Sequence, residues 1–198
     1  MNNMKLLFID ACVREESRTR RLTDKLLDKI NESYDEVCLK DITFPVVDDS
    51  FLRERDLLAS GNDFDNPIFK LAKQFADAEE IVIAAPYWDL SFPATLKQYL
   101  EQVNVVGITF KYSEEGIPVG LCKAKRLWVV STAGGFYAPE EYGFGYIKAL
   151  AESYYGIQDV RQIKALGLDI VGADVEKILL DAENEIQKLD LRLEEESC

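Results

Sequence analysis

Short, continuously apolar runs alternate along this chain with stretches whose apolar residues recur at helical spacing. That alternation limits the possible folds more than any other feature. Lys5–Asp10 (KLLFID), Glu80–Ala85 (EIVIAA) and Arg126–Ser131 (RLWVVS) have no polar alternation, so they read as strands covered on both faces. Glu36–Leu39 and Val160–Leu168 add two further strand signals. Helical spacing is expected over Ser17 to about Tyr34, through Leu22, Leu26, Leu27 and Ile30, and over Asn66–Ala78, Pro93–Val105, Glu140–Tyr155 and Asp174–Leu193. Strands separated by helices imply βαβ units, hence an α/β fold: a three-layer arrangement with a five-stranded parallel sheet and helices on both faces, one domain over residues 1–198.

Two segments depart from the alternation. Asp41–Asn66, rich in Asp, Pro and Gly, reads as an excursion with one short helix around Leu52–Ala59. Thr109–Tyr112 and Ile117–Gly120 flank a Glu-Glu-Gly turn and predict a small hairpin. The acidic Glu194–Glu196 stretch is expected to be a frayed end.

Composition excludes several functions. No apolar run approaches the roughly 20 residues of a membrane span. The net charge of −13 disfavours nucleic acid or an anionic membrane as partner. The chain has no histidine, which removes Ser-His-Asp and Cys-His catalysis and argues against a zinc centre. Cys12, Cys38, Cys122 and Cys198 stand far apart without CxxC spacing, and Met1–Lys5 carries no signal-peptide pattern. The expected location is therefore a reducing cytoplasm, and no metal is expected.

Ligands of parallel sheets bind beyond the carboxyl ends of the strands, so three loops become candidates. The first, Asp10 to Arg20, ends on Ser17, an N-cap type that leaves the next N–H groups free for an anion; Thr19 adds a hydroxyl and Arg14 or Arg18 a charge. It contains neither GxxxxGKS nor GxGxxG, so neither a nucleoside triphosphate nor a tightly held dinucleotide is expected. The second, Pro86-Tyr87-Trp88-Asp89-Leu90-Ser91-Phe92-Pro93, is a rigid aromatic lip on which a planar ring can rest. The third, Ser131-Thr132-Ala133-Gly134-Gly135-Phe136-Tyr137, places paired glycines where backbone can approach a ligand. One crevice built from these loops has the shape of a mononucleotide site with a flat heterocycle.

The run Ala85–Tyr99 (APYWDLSFPATLKQY) resembles the P-x-Y/W-x-x-x-x-P-x-x-L-K motif of FMN-dependent NAD(P)H oxidoreductases, the quinone-reductase and azoreductase type of flavodoxin-like fold. Gly107–Tyr112 followed by Gly116 and Gly120-Leu121 is similar to that family's G-x-T-F-x-Y-x-x-x-G-x-x-G-L segment. Thr132–Gly135 resembles its second flavin-contacting loop, and Cys12–Thr19 its phosphate loop. The resemblance implies FMN as cofactor. Cys12 belongs to the phosphate loop, Ser17, Arg18 and Thr19 hold the phosphate, and Pro86, Tyr87, Trp88, Asp89, Leu90, Thr132, Ala133, Gly134 and Gly135 border the ring. Cys12 stands where the family often has serine. Asp89 stands where some relatives carry asparagine, and a carboxylate close to the ring would disfavour a negatively charged reduced flavin.

The function so implied is hydride transfer from NADH or NADPH to a quinone, azo or nitroaromatic acceptor, with both substrates taking turns in one slot (ping-pong). The alternative is a flavodoxin-type electron carrier with no substrate slot. Without histidine there is no Tyr-His proton relay, which leaves Tyr137 as a candidate lone proton donor. Members of this family are typically homodimers, so the Asp41–Asn66 excursion or the Thr109–Gly120 hairpin is expected to cover a partner's flavin.

Overall fold

The computed structural model of the chain describes residues 4–192. Leu193, the Glu194–Glu196 stretch and Cys198 lie outside the described residues. Five parallel strands form one sheet: β1 (Leu6–Asp10), β2 (Tyr34–Cys38), β3 (Glu80–Ala84), then β6 (Arg126–Thr132) and β7 (Asp159–Ala165), in the order β2-β1-β3-β6-β7. The hairpin strands β4 (Phe110–Tyr112) and β5 (Pro118–Gly120) pair antiparallel and stand apart from that sheet. Helices α1 (Arg18–Ile30), α2 (Asp49–Ser60), α3 (Lys70–Asp77), α4 (Ala94–Val103), α5 (Phe144–Leu150) and α6 (Val175–Lys188) complete the fold.

Every residue of β1 and β3 is buried, which is what their continuous apolar character requires. Alternate residues of these strands feed two cores. Leu7, Ile9, Ile81 and Ile83 join Phe75, Tyr99, Leu100 and Val103 on one face. Leu6, Phe8, Val82 and Trp128 join Leu22, Leu26 and Leu179 on the other. Helix α1 turns Leu22, Leu26 and Leu27 inward from its helical stripe and stops at Asn31, which adopts the left-handed conformation that ends helices (φ 56°).

Several boundaries differ from the sequence expectation. Tyr34 lies in β2, since Asn31 ends α1 first. The helix expected from Glu140 starts at Phe144, because Glu140 instead receives the Gly143 and Gly145 N–H groups in a turn, and it finishes as a wider π-type turn over Ala151–Tyr155. β7 ends at Ala165, so Leu166–Leu168 is loop. α6 ends at Lys188, and the chain beyond it is captured from the side by an arginine.

That arginine, Arg126, is 1% exposed at the start of β6. Its Nε donates to Asp159 at 2.6 Å, and its two terminal nitrogens donate to the carbonyls of Leu191 (2.8 Å) and Arg192 (2.9 Å). The guanidinium also lies over the Trp128 ring, whose indole N–H donates to Glu80 at 2.6 Å. A buried cation is tolerated only with such complete pairing, and removing one partner strands the rest. Arg126→Met is expected to destabilise the protein by about 3 kcal/mol in urea unfolding; a loss below about 0.5 kcal/mol would show that the cluster is incidental. Burial pushes the Asp159 carboxyl up, but hydrogen bonds from Arg161 and Arg126 outweigh it and hold the group below its usual range. A depressed carboxylate stabilises above its unfolded pKa of about 4 and loses that contribution as pH falls through the folded value. Wild type is therefore expected to lose stability below about pH 4 more steeply than Asp159→Asn, measured by urea titration at successive pH values.

Candidate functional site

The register brings the strand ends level: Asp10 faces Cys38 and Ala84, Ala84 faces Val130, and Thr132 faces Ala165. The loops that leave these ends consequently share one edge, at the point where strand order reverses between β1 and β3. They enclose a cleft of about 350 Å³ lined by Val13, Arg14, Glu16, Ser17, Arg18, Thr19, Pro86, Tyr87, Trp88, Thr132, Ala133, Gly134, Leu168 and Asp169.

At one end of the cleft, Ser17 caps α1 in extended conformation and its hydroxyl accepts from the Arg20 N–H at 3.2 Å. The backbone N–H groups from Val13 through Thr19 have no acceptor among the described residues. A run of free donors at the start of a 13-residue helix is an anion site, and a phosphate group suits it. Thr19 lines the cleft but is itself buried, and its hydroxyl shares a hydrogen bond with Thr132 at 2.7 Å that ties the first loop to the third.

Beneath the loop lies Asp10, whose sequence signal is a charge that closes an apolar run. It is buried. One carboxylate oxygen accepts from the Cys12 N–H (2.8 Å) and the other from Arg20 (2.9 Å). Arg20 also reaches Asp24 and Glu36 and lies 4.8 Å from the Phe8 ring centroid. Its charge is therefore spent inside this network. Cys12 sits under the loop, 3% exposed, among the apolar residues of the α1 side, and does not line the cleft. Burial and the neighbouring Asp10, against an opposing hydrogen bond with Ser17, push its thiol up to about 12, so it stays protonated and unreactive at neutral pH.

The lip continues the sheet, since Tyr87 N–H donates to Thr132 O at 3.0 Å. Trp88 and Ser91 then exchange backbone hydrogen bonds of 2.9 and 2.7 Å around Asp89 (φ 50°) and Leu90 (φ 68°). This is a two-residue turn of the kind that needs left-handed backbone at both central positions. Asp89 and Leu90 form its tip and do not line the cleft. Two side chains brace the lip from behind: Tyr87 Oη donates to Pro139 O (3.0 Å) and Ser91 Oγ to Tyr142 O (2.6 Å). Burial, then Tyr137 and Glu141, raise the Tyr87 hydroxyl above its ordinary pKa. Tyr137 is 80% exposed on the bracing loop, outside the cleft wall, and Gly135 also stands outside it.

The wall that sequence reasoning missed comes from the loop after β7. Leu168 and Asp169 N–H groups donate to Ala133 O (3.2 Å) and Gly134 O (2.9 Å), which fastens that loop along the third. Gly167, at φ 80°, was the available sequence signal for a turn there.

The profile of a family described as Flavodoxin-like fold matches residues 4–189. An FMN-dependent NADH:quinone oxidoreductase from Clostridium perfringens is 41% identical over 184 residues, covering 87% of this chain and 91% of that protein. A protein of the same name from Coprothermobacter proteolyticus is 35% identical over 197 residues, covering 93% and 97%. The crystal structure of an FMN-dependent NADH-azoreductase from Bacillus anthracis in complex with FMN superposes with a TM-score of 0.79 at 26% identity, over 93% of this chain and 96% of that one.

Left-handed backbone costs a residue with a Cβ about 1–2 kcal/mol. Leu90→Gly is accordingly expected to raise stability by ~1 kcal/mol in thermal or urea unfolding; an unchanged or lowered stability would mean that the Leu90 side chain contributes more than the turn costs.

Proposed function

This chain belongs to the flavodoxin-like-fold family that includes the FMN-dependent NADH:quinone oxidoreductases, and from that membership we propose that it is itself such an enzyme, passing electrons from NADH to a quinone or azo acceptor. The observation that carries the reading is the meeting, in one cleft, of an anion-ready helix start and an aromatic lip. These residues fit a flavin mononucleotide: free N–H groups for its phosphate at one end, flat side chains and a close-approach backbone for its ring at the other. FMN, when bound, supplies the capacity to accept two electrons from a reduced nicotinamide and release them to a second substrate.

The protein's share is binding and orientation. Ser17 and the N–H groups of Val13–Thr19 receive the phosphate, helped by Arg14, which has no ion-pair partner among the described residues. Pro86–Trp88 and Thr132–Gly134 flank the ring, and the braces to Pro139 and Tyr142 keep that flank from shifting. Cys12 serves from below by packing. Protons for the acceptor come from water or from the exposed Tyr137 hydroxyl, since no histidine is present. NADPH and nitroaromatic compounds belong to the same proposal as further substrates. The exposed Tyr112, Ile117, Val119 and Leu121 of the hairpin region, and helix α2 with no fully buried residue, suit a homodimer. No helix among the described residues is long and apolar enough to cross a membrane. A carrier without a slot of its own is not favoured, because the relatives matched over nine-tenths of their length bear enzyme names.

The test is the visible spectrum of the protein with FMN, then with NADH in the absence of air, then with a quinone. Flavin bands that bleach with NADH and return with the quinone, and parallel initial-rate lines at varied quinone, are the expected result. Protein that leaves added FMN unbound would overturn the reading. Intersecting lines would overturn its shared-slot kinetics.

A further inference from the structure

We propose that Asp169 governs how strongly the cleft prefers a phosphorylated flavin to its unphosphorylated form, by engaging Arg18 and adding a negative charge to the wall. The inference rests on the functional reading above and concerns the discrimination between FMN and riboflavin.

Three contacts build the device. Arg18 donates to Asp169 at 2.7 Å and to Leu168 O at 3.2 Å, reaching from the start of α1 to the far wall. Asp169 is fastened in turn by its backbone bond to Gly134 O. A Cβ at position 134 would collide with the Asp169 carboxylate. The Asp169 carboxylate thus lies directly against the Gly134 backbone.

The charge balance makes this pair consequential. Arg20, the next cation on α1, is committed to Asp10, Asp24 and Glu36. The charged residues lining the cleft are Arg14, Arg18, Glu16 and Asp169, which cancel. Arg18 offers a free N–H to an anion while its side chain is turned to a competing carboxylate. The pair is open to solvent, with side chains 41% and 69% exposed, so it adds little to folding stability. Replacing Asp169 by its neutral isostere leaves the wall's shape, releases Arg18 and gives the lining a net positive charge. The change of charge acts on the anionic phosphate, whereas riboflavin carries no charge for it to act on.

The experiment measures dissociation constants for FMN and for riboflavin by fluorescence quenching, at about 20 mM and about 500 mM salt. It uses wild type, Asp169→Asn, and Asp28→Asn, a change of equal charge about 15 Å further along α1. Asp169→Asn is expected to bind FMN roughly three- to tenfold more tightly at low salt, with the gain shrinking at high salt. Riboflavin affinity and the Asp28→Asn constants are expected to stay at their wild-type values. FMN binding that is unchanged or weaker in Asp169→Asn would overturn the proposal, as would an equal gain for riboflavin or in Asp28→Asn. Wild-type protein that binds neither flavin would overturn the functional reading, and this inference with it.

Discussion

A parallel sheet has to be covered on both faces, and the rest of this structure depends on that requirement. Once α1 and α6 pack on one face and α3, α4 and α5 on the other, the faces are spent on burial. Polar function is confined to the strand ends. The strands here end level, so four loops converge where strand order reverses, and a ligand cleft follows from topology and register. The opposite end carries the buried Arg126 cluster, which holds the segment after α6 against the sheet and takes no part in the cleft.

The electrostatics of the cleft are unusual for an anion site. A chain of net charge −13 repels a phosphate at long range. Two of the three arginines near the site are neutralised, Arg20 by three carboxylates and Arg18 by Asp169, and Arg14 is left. Attraction rests on Arg14 and on backbone N–H groups at the start of α1, the latter acting only over a short distance and with directional contact. Such a site selects by fit. The buried Asp10 matters in this light: by accepting the Cys12 N–H and holding Arg20, it shapes the loop that displays those donors.

The aromatic lip shows the complementary principle of rigidity. Its turn places Asp89 and Leu90 in backbone that side chains rarely adopt, and the hydrogen bonds to Pro139 and Tyr142 hold it there. With no histidine to move protons, a member of this oxidoreductase family has to work through the placement of its cofactor and substrate.

Local pattern alone determined the strands, most helices, the hairpin and the identity of three of the four cleft loops. Burial on both faces imprints itself on consecutive residues, and N-caps and glycine pairs are local signals as well. Some boundaries moved for local reasons, as at Asn31 and Glu140, and one beside a distant group: the chain just past α6 gives its Leu191 and Arg192 carbonyls to Arg126, more than sixty residues earlier. Tertiary structure alone decided which charges are spent and on what. It turned Cys12 into the core, paired Arg18 with a residue 151 positions away, buried the Thr19 hydroxyl against Thr132, and laid a carboxylate against the Gly134 backbone. Periodicity reports the environment of neighbouring residues, whereas an ion pair between distant loops exists only after the sheet has brought those loops together.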